Sequence, residues 1–167
     1  MPKIIYDSNP RKHVTYTVRQ SGELHIPQIE GNERIIIFIA LLSQLEGIKS
    51  RLKDQPNVDE SLIFTYHGKM TAIEKDKNQN DWLTTQKSIM VASTAFSLGI
   101  DYPHVRLLYV IGSTYGLDSL IQMFGRAGRD NQKSECIYHF SYLQSHSIDN
   151  KERGLLADLE GNAQCVR

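Results

Sequence analysis

Residues 35–39, Ile35-Ile36-Ile37-Phe38-Ile39, form an unbroken apolar and mostly β-branched run. A strand of this kind has no face to offer to water, so it belongs inside a parallel sheet covered on both sides. The chain must then supply the covering layers. Leu41, Leu42, Leu45, Ile48 and Leu52 recur at three- and four-residue steps, which predicts a helix with one apolar stripe. The alternation continues downstream. Residues 62–66 read as a strand, Thr71-Ala72-Ile73-Glu74 has the spacing of a capping box, and Trp82 closes the following helix against the core. Residues 88–92 and 106–111 read as two further strands. Asp118 is expected to cap the next helix, with Leu120, Ile121 and Phe124 on its inner face, and residues 136–140 supply a last strand. Upstream, residues 10–18 alternate weakly and predict a strand. Residues 19–33, with Gly22, Pro27 and Gly31, read as linker. The result is an α/β fold: a three-layer arrangement of a mostly parallel sheet flanked by helices, with its site expected at the carboxyl ends of the strands. Three segments follow: a strand and linker over 1–33, the main domain over 34–141, and a polar tail over 142–167.

Charge narrows the class of partner. Nineteen Lys plus Arg balance nineteen Asp plus Glu, so no overall positive field gathers nucleic acid, and any phosphate contact must be local. Cys136 and Cys165 have neither C-x-x-C spacing nor enough companions for zinc, so no metal site is expected and reduced thiols are. The first seven residues hold no apolar signal core and no later stretch reaches membrane-span length. The expected setting is therefore nuclear or cytoplasmic, without a membrane partner.

The chemistry concentrates in Gln122-Met123-Phe124-Gly125-Arg126-Ala127-Gly128-Arg129-Asp130. Arginines three apart at a helix end are expected to project from one face. Gly125 and Gly128 leave room beside them for backbone or ligand. Forked guanidinium donors at that spacing suit the oxygens of a polyphosphate. The competing reading is a pair of surface arginines bonded to nearby carboxylates such as Asp130; the glycines and Gln122 weigh against it.

This block resembles motif VI of superfamily 2 helicases, Q-x-x-G-R-x-x-R. Residues 91–106, Val-Ala-Ser-Thr-Ala-Phe-Ser-Leu-Gly-Ile-Asp-Tyr-Pro-His-Val-Arg, are similar to motif V of the RecQ helicases. Tyr66-His67-Gly68 resembles that family's Y-H-A/G turn, and residues 11–16 resemble its opening strand into the second lobe. The resemblance covers residues 10–141 and implies a RecA-like second helicase lobe. It assigns Arg129 as arginine finger, Arg126 as a second phosphate or interface arginine, and Gln122, Gly125, Asp101 and Gly99 to the nucleotide-facing surface. Ser93, Thr94, His67 and Gly68 are assigned to the nucleic-acid backbone. Motif V would then join the nucleic-acid track to the nucleotide interface.

The implied activity is ATP-dependent 3′-to-5′ DNA unwinding, with single-stranded or partly duplex DNA as partner. The 167 residues contain no G-x-x-x-x-G-K-[ST] loop and no D-E-x-H stretch. ATP and Mg²⁺ are therefore expected on an N-terminal RecA-like lobe, in cis or in trans, and the chain alone is expected to hydrolyse no ATP. Departures from the family pattern are Ala40-Leu41-Leu42 in place of a polar turn, Ser97 for glycine, Tyr102 for lysine, Met123 for glutamate and Asn131 for glycine. The alternatives are a Ski2-like or DEAD-box-like lobe acting on RNA, and a non-catalytic fragment serving as a binding module. Phe96, Tyr102, Tyr109 and Tyr115 are expected to pack rather than stack on bases.

Overall fold

A six-stranded sheet with every pairing parallel runs through the computed structural model, which describes residues 11–20, 24–98, 100–112 and 117–140. The strands are β1 (Val14–Gln20), β2 (Arg34–Ile39), β3 (Ile63–Tyr66), β4 (Ile89–Ala92), β5 (Val105–Ile111) and β6 (Ser134–Phe140), in the spatial order β1-β6-β5-β2-β4-β3. The helices are α1 (Leu45–Lys53), α2 (Ala72–Thr84) and α3 (Leu117–Phe124). The apolar run of 35–39 occupies the interior strand its composition demands. All five of its side chains are at most 2% exposed, each contributing about 2 kcal/mol of apolar burial.

Strand periodicity divides that run between two cores. Ile36 and Phe38 join Met90, Leu108, Val110 and Tyr138 under α2 and α3, whose Trp82, Leu120, Met123 and Phe124 complete the layer. Ile35, Ile37 and Ile39 join Val91, Leu107 and Tyr109 under α1, through Ile48 and Leu52. The 19–33 linker is part of this second cover. It lacks regular structure over 24–30, but Leu24, Ile26 and Ile29 are buried against the sheet. Glycine and proline excluded a helix there without preventing apolar docking. The strand of the opening segment begins at Val14, runs on to Gln20, and pairs with β6 along its whole length.

Other local expectations meet the structure unevenly. Thr71 and Glu74 form the capping box, with Glu74 N–H donating to Thr71 Oγ1 at 3.2 Å and Thr71 N–H donating to Glu74 Oε2 at 2.8 Å. Trp82 is fully buried near the end of α2. Arg34, also buried, donates to the carbonyls of Trp82 and Leu83 and satisfies the end of that helix. By contrast, Leu41 is 53% exposed and Ile121 is 45% exposed. The first precedes a 3₁₀ turn, and in α3 Met123 fills the inward position expected of Ile121. Asp118 lies within the first turn of α3 rather than before it. Tyr115 and residues 142–167 lie outside the described residues.

Candidate nucleotide and nucleic-acid interface

The connection from β4 to β5, residues 93–104, organises the site. It leaves the carboxyl end of β4, crosses β2 to reach the far side of the sheet, and arrives at the amino end of β5. Midway, a 3₁₀ turn (Thr94–Leu98) buries Phe96 between Tyr66 and Trp82, with ring centroids at 4.9 and 5.7 Å. One short segment therefore presents Ser93 at one edge of the sheet and Asp101 towards the other.

At the carboxyl edge, Ser93 N–H donates to Tyr66 O at 2.9 Å, drawing the start of the crossover against the turn after β3. Ser93, Thr94 and His67 are half-buried and Gly68 is exposed. The hydroxyls of Ser93 and Thr94 have no hydrogen-bond partner among the described residues. His67 Nδ1 is buried and likewise unpartnered. The two hydroxyls are left as donors and acceptors near the turn that carries His67.

The arginines lie at the opposite edge. The expectation of a site at the carboxyl ends holds for loops that follow strands, whereas residues 125–131 follow α3 and so lead into the amino end of β6. Helix α3 ends at Phe124, so a turn, and not a helix face, brings the two arginines to one side. Ala127 points into the core, fully buried, and Gly128 takes φ +58° while its N–H donates to Val105 O at 3.0 Å. A Cβ on Gly128 would sit 2.8 Å from Ser134 Oγ. The close approach that this glycine permits is thus by the chain itself. His13 Nε2 also lies 2.8 Å from Gly128 O.

Both arginines reach the crossover. Arg126 Nη1 donates to Ile100 O, and Arg129 Nη1 pairs with Asp101. Arg129 Nε donates to Gly125 O at 3.2 Å. Burial disfavours the charged form of Arg126, the neighbouring Arg129 adds to that, and Asp101 opposes it, so its pKa lies below the usual arginine value. Gln122 is exposed on α3 and bonds to neither arginine; Gly125 ends that helix, and Gly99 lies outside the described residues.

Asp130, the carboxylate of the competing reading, binds neither arginine. It pairs with Arg106 and accepts from His104 Nδ1 at 2.6 Å. Burial works against its ionised form, yet hydrogen bonds from Arg106, His104 and the Gln132 N–H outweigh that and hold its pKa down to about 2. Sequence reasoning missed Arg106 and His104 as part of this site. The available signal was that both stand at the amino end of a strand, where the turn after a preceding helix must arrive.

Residues 18–131 match the family described as the helicase conserved C-terminal domain. The chain belongs to that family. This helicase lobe is 28% identical over 144 residues to the ATP-dependent DNA helicase hus2/rqh1 of Schizosaccharomyces pombe, covering 84% of the chain and 10% of that protein. It is 28% identical over 142 residues to the ATP-dependent DNA helicase RecQ of Bacillus subtilis, covering 82% of the chain and 23% of that protein. The lobe therefore spans a quarter or less of these relatives, and they agree with the RecQ-type motifs. The C-terminal domain of the DEAD-box protein Dbp5 shares the fold, with a TM-score of 0.56 at 18% identity over 80% of the chain and 71% of that domain.

Residue chemistry fits a polyphosphate at the arginine edge. The Arg129 side chain is 34% exposed and Asp101 is 86% exposed, so their ion pair faces solvent. Arg129 Nη2 has no partner among the described residues, and Arg126 Nε is buried without an acceptor. Arg129 Nη2 is thus left for anionic oxygens, whereas the buried Arg126 Nε is not exposed to them. Four of the departures have local accounts, whereas nothing in the structure explains Ala40-Leu41-Leu42, whose Leu41 is exposed. Met123 is a core residue, Ser97 Oγ donates to Thr94 O at 2.7 Å, and Tyr102 lies beside Arg34 with its hydroxyl donating to Asn32 O. Asn131 stands at φ +62°, where asparagine is among the best-tolerated residues after glycine. No helix among the described residues is long and apolar enough to cross a membrane.

Proposed function

We propose that this chain is the second motor lobe of an ATP-dependent 3′-to-5′ DNA helicase of the RecQ type, with Arg129 as its arginine finger and Arg126 as the supporting arginine. The observation that carries this reading is the 93–104 crossover, which bears Ser93 and Thr94 at one edge of the sheet and holds Arg126 and Arg129 through Ile100 and Asp101 at the other. A shift of either edge is transmitted through Phe96, wedged between Tyr66 and Trp82.

On this reading ATP and Mg²⁺ are bound by an N-terminal RecA-like lobe in cis or in trans, and ATP supplies the phosphoryl group whose hydrolysis drives the cycle. The work of this chain is positional. Arg129 and Arg126 give N–H donors to anionic oxygens across the lobe interface, where charge develops. Asp101 keeps Arg129 oriented, and Gln122 and Gly125 contribute to the nucleotide-facing surface, the role that the family motif also gives Gly99. Ser93, Thr94, His67 and Gly68 hold the backbone of single-stranded or partly duplex DNA at the opposite edge. Lobe closure and opening then move the strand.

The test combines the chain with its nucleotide-binding lobe and measures ATP turnover with DNA or RNA strands. Loss of turnover in Arg129→Ala, with strand binding retained, supports the assignment. Unaltered turnover removes Arg129 from it, and stimulation by RNA in preference to DNA removes the RecQ-type substrate.

A further inference from the structure

The turn that carries the arginines has little regular structure of its own. After Gly125 N–H bonds Ile121 O, the chain tightens through Arg126 N–H to Met123 O and Ala127 N–H to Phe124 O, then crosses to Val105 O through Gly128. Within the turn Asn131 N–H bonds Gly128 O and Arg129 Nε bonds Gly125 O, each at 3.2 Å, while the ion pairs of residues 129 and 130 run out of it to β5 and its approach.

Arg106 is the centre of that fixture. Its side chain is 11% exposed; its two Nη groups hydrogen-bond to different partners, while the buried Nε faces a third group, a carboxylate, without making a hydrogen bond. Nη1 donates to Ser134 Oγ at 3.0 Å, Nη2 pairs with Asp130, and Nε lies 3.2 Å from Glu33 Oε1. Asp130, 14% exposed at its side chain, spends one oxygen on Arg106 and His104 together and the other on the Gln132 N–H at 3.1 Å. Ser134 Oγ donates onward at 3.0 Å to Val105 O, the carbonyl that also receives Gly128 N–H. Two successive residues of the turn are therefore tied to the same stretch of crossover: Arg129 to Asp101 and Asp130 to His104. The first tie is exposed; the second joins the mostly buried Asp130 to a His104 side chain that is 40% exposed, and is backed by Arg106 on an interior strand.

We propose that Arg106 and Asp130 are positioning residues for the arginine pair, their ion pair fixing the turn so that Arg126 and Arg129 present their guanidinium groups in one orientation. This rests on the functional reading above for its consequence in turnover, though not for its consequence in arginine order. Removing the Asp130 charge loosens the turn and leaves Arg129 held by its Nε–H bond to Gly125 O, which lies in that same turn, and by the solvent-facing Asp101 contact, which screening weakens. Misplacing a transition-state donor by an ångström lowers the chemical rate far more than it lowers binding.

The experiment measures ¹⁵N relaxation at the Nε–H groups of Arg126 and Arg129 in the whole chain, and turnover of the same variants with the nucleotide-binding lobe supplied. Asp130→Asn is expected to increase fast motion at both Nε positions. It should also lower kcat by roughly ten- to a hundredfold with KM little changed. Ile48→Val, a destabilising control under the opposite face of the sheet, should leave both readouts at the parent value. Should Asp130→Asn fail to fold, His104→Ala removes one tie at a part-exposed position and is expected to move both readouts the same way, by less. Arginine motion unchanged in the folded Asp130 or His104 variant, or raised equally by Ile48→Val, overturns the proposal. If Arg129→Ala itself leaves turnover intact, the motor reading fails while the relaxation result still decides the positioning claim. If Arg129→Ala abolishes turnover and the Asp130 variant changes neither readout, the positioning claim alone is lost.

Discussion

Asp130 is ion-paired with Arg106, 24 residues upstream, and not with the arginine immediately before it. This relationship separates a mostly buried charge pair from the solvent-facing one proposed to meet the nucleotide, within a single short turn. Arg106 and Asp130 are mostly buried, whereas Arg129 and Asp101 face solvent with donors to spare.

The hydrogen bonds that Asp130 accepts from Arg106, His104 and the Gln132 N–H outweigh its burial and make it a source of acid sensitivity. Its pKa is about 2 in the folded chain against an ordinary value near 3.8. A depressed carboxyl contributes stability that is complete above its unfolded pKa and is lost as pH falls through the folded one. Between pH 4 and pH 2 the chain should therefore lose on the order of 1–2 kcal/mol through this group alone. Urea unfolding across that range should show the loss, and Asp130→Asn should flatten it; an equal slope in the variant would reassign the sensitivity to other carboxylates.

Glycines distinguish backbone demand from chance. Gly128→Ala combines a left-handed φ with a Cβ 2.8 Å from Ser134 Oγ, and should destabilise the fold by about 2–3 kcal/mol. Gly47 lies inside α1 with open space around it, so Gly47→Ala should stabilise by about 0.5–1 kcal/mol. Asn131→Gly, at φ +62°, should stabilise by several tenths of a kcal/mol. Chemical denaturation midpoints give all three signs directly.

Trp82 tests the core under α2. Its ring is fully buried and touches Phe96 and Tyr102, while its Nε1 has no acceptor. Trp82→Ala should cost about 3–5 kcal/mol. Trp82→Phe should cost less than half of that, because no hydrogen bond is lost. A Phe variant as unstable as the Ala variant would show that ring shape, and not burial alone, sets the crossover.

Strand binding and turnover should separate by edge. With the nucleotide-binding lobe supplied, His67→Ala and Ser93→Ala are expected to weaken binding of single-stranded DNA severalfold at the carboxyl edge. Arg129→Ala should leave binding near the parent value while lowering turnover by about a thousandfold or more. The 167-residue chain alone is expected to show no ATP hydrolysis above background. Equal effects of both sets on binding, measured by fluorescence anisotropy over a salt series, would argue against two distinct edges.

Much of the architecture is written locally. The run 35–39 can only be an interior strand, because nothing in it tolerates water, and Thr71 with Glu74 announces a helix start through short-range hydrogen bonds. The spacing of Gln122, Gly125, Arg126 and Arg129 marks the proposed site for the same reason: its pattern is contiguous. Tertiary structure decided what contiguity cannot express. Strand order brings the start of β5 beside the turn after α3, and only then does Asp130 meet Arg106, Arg126 meet Ile100, and the proposed arginine site move from the carboxyl edge to the amino edge. Hydrogen bonds and ion pairs act over a few ångströms of space whatever their separation along the chain, so partners 24 or more residues apart become legible only once the sheet has set the distance between them.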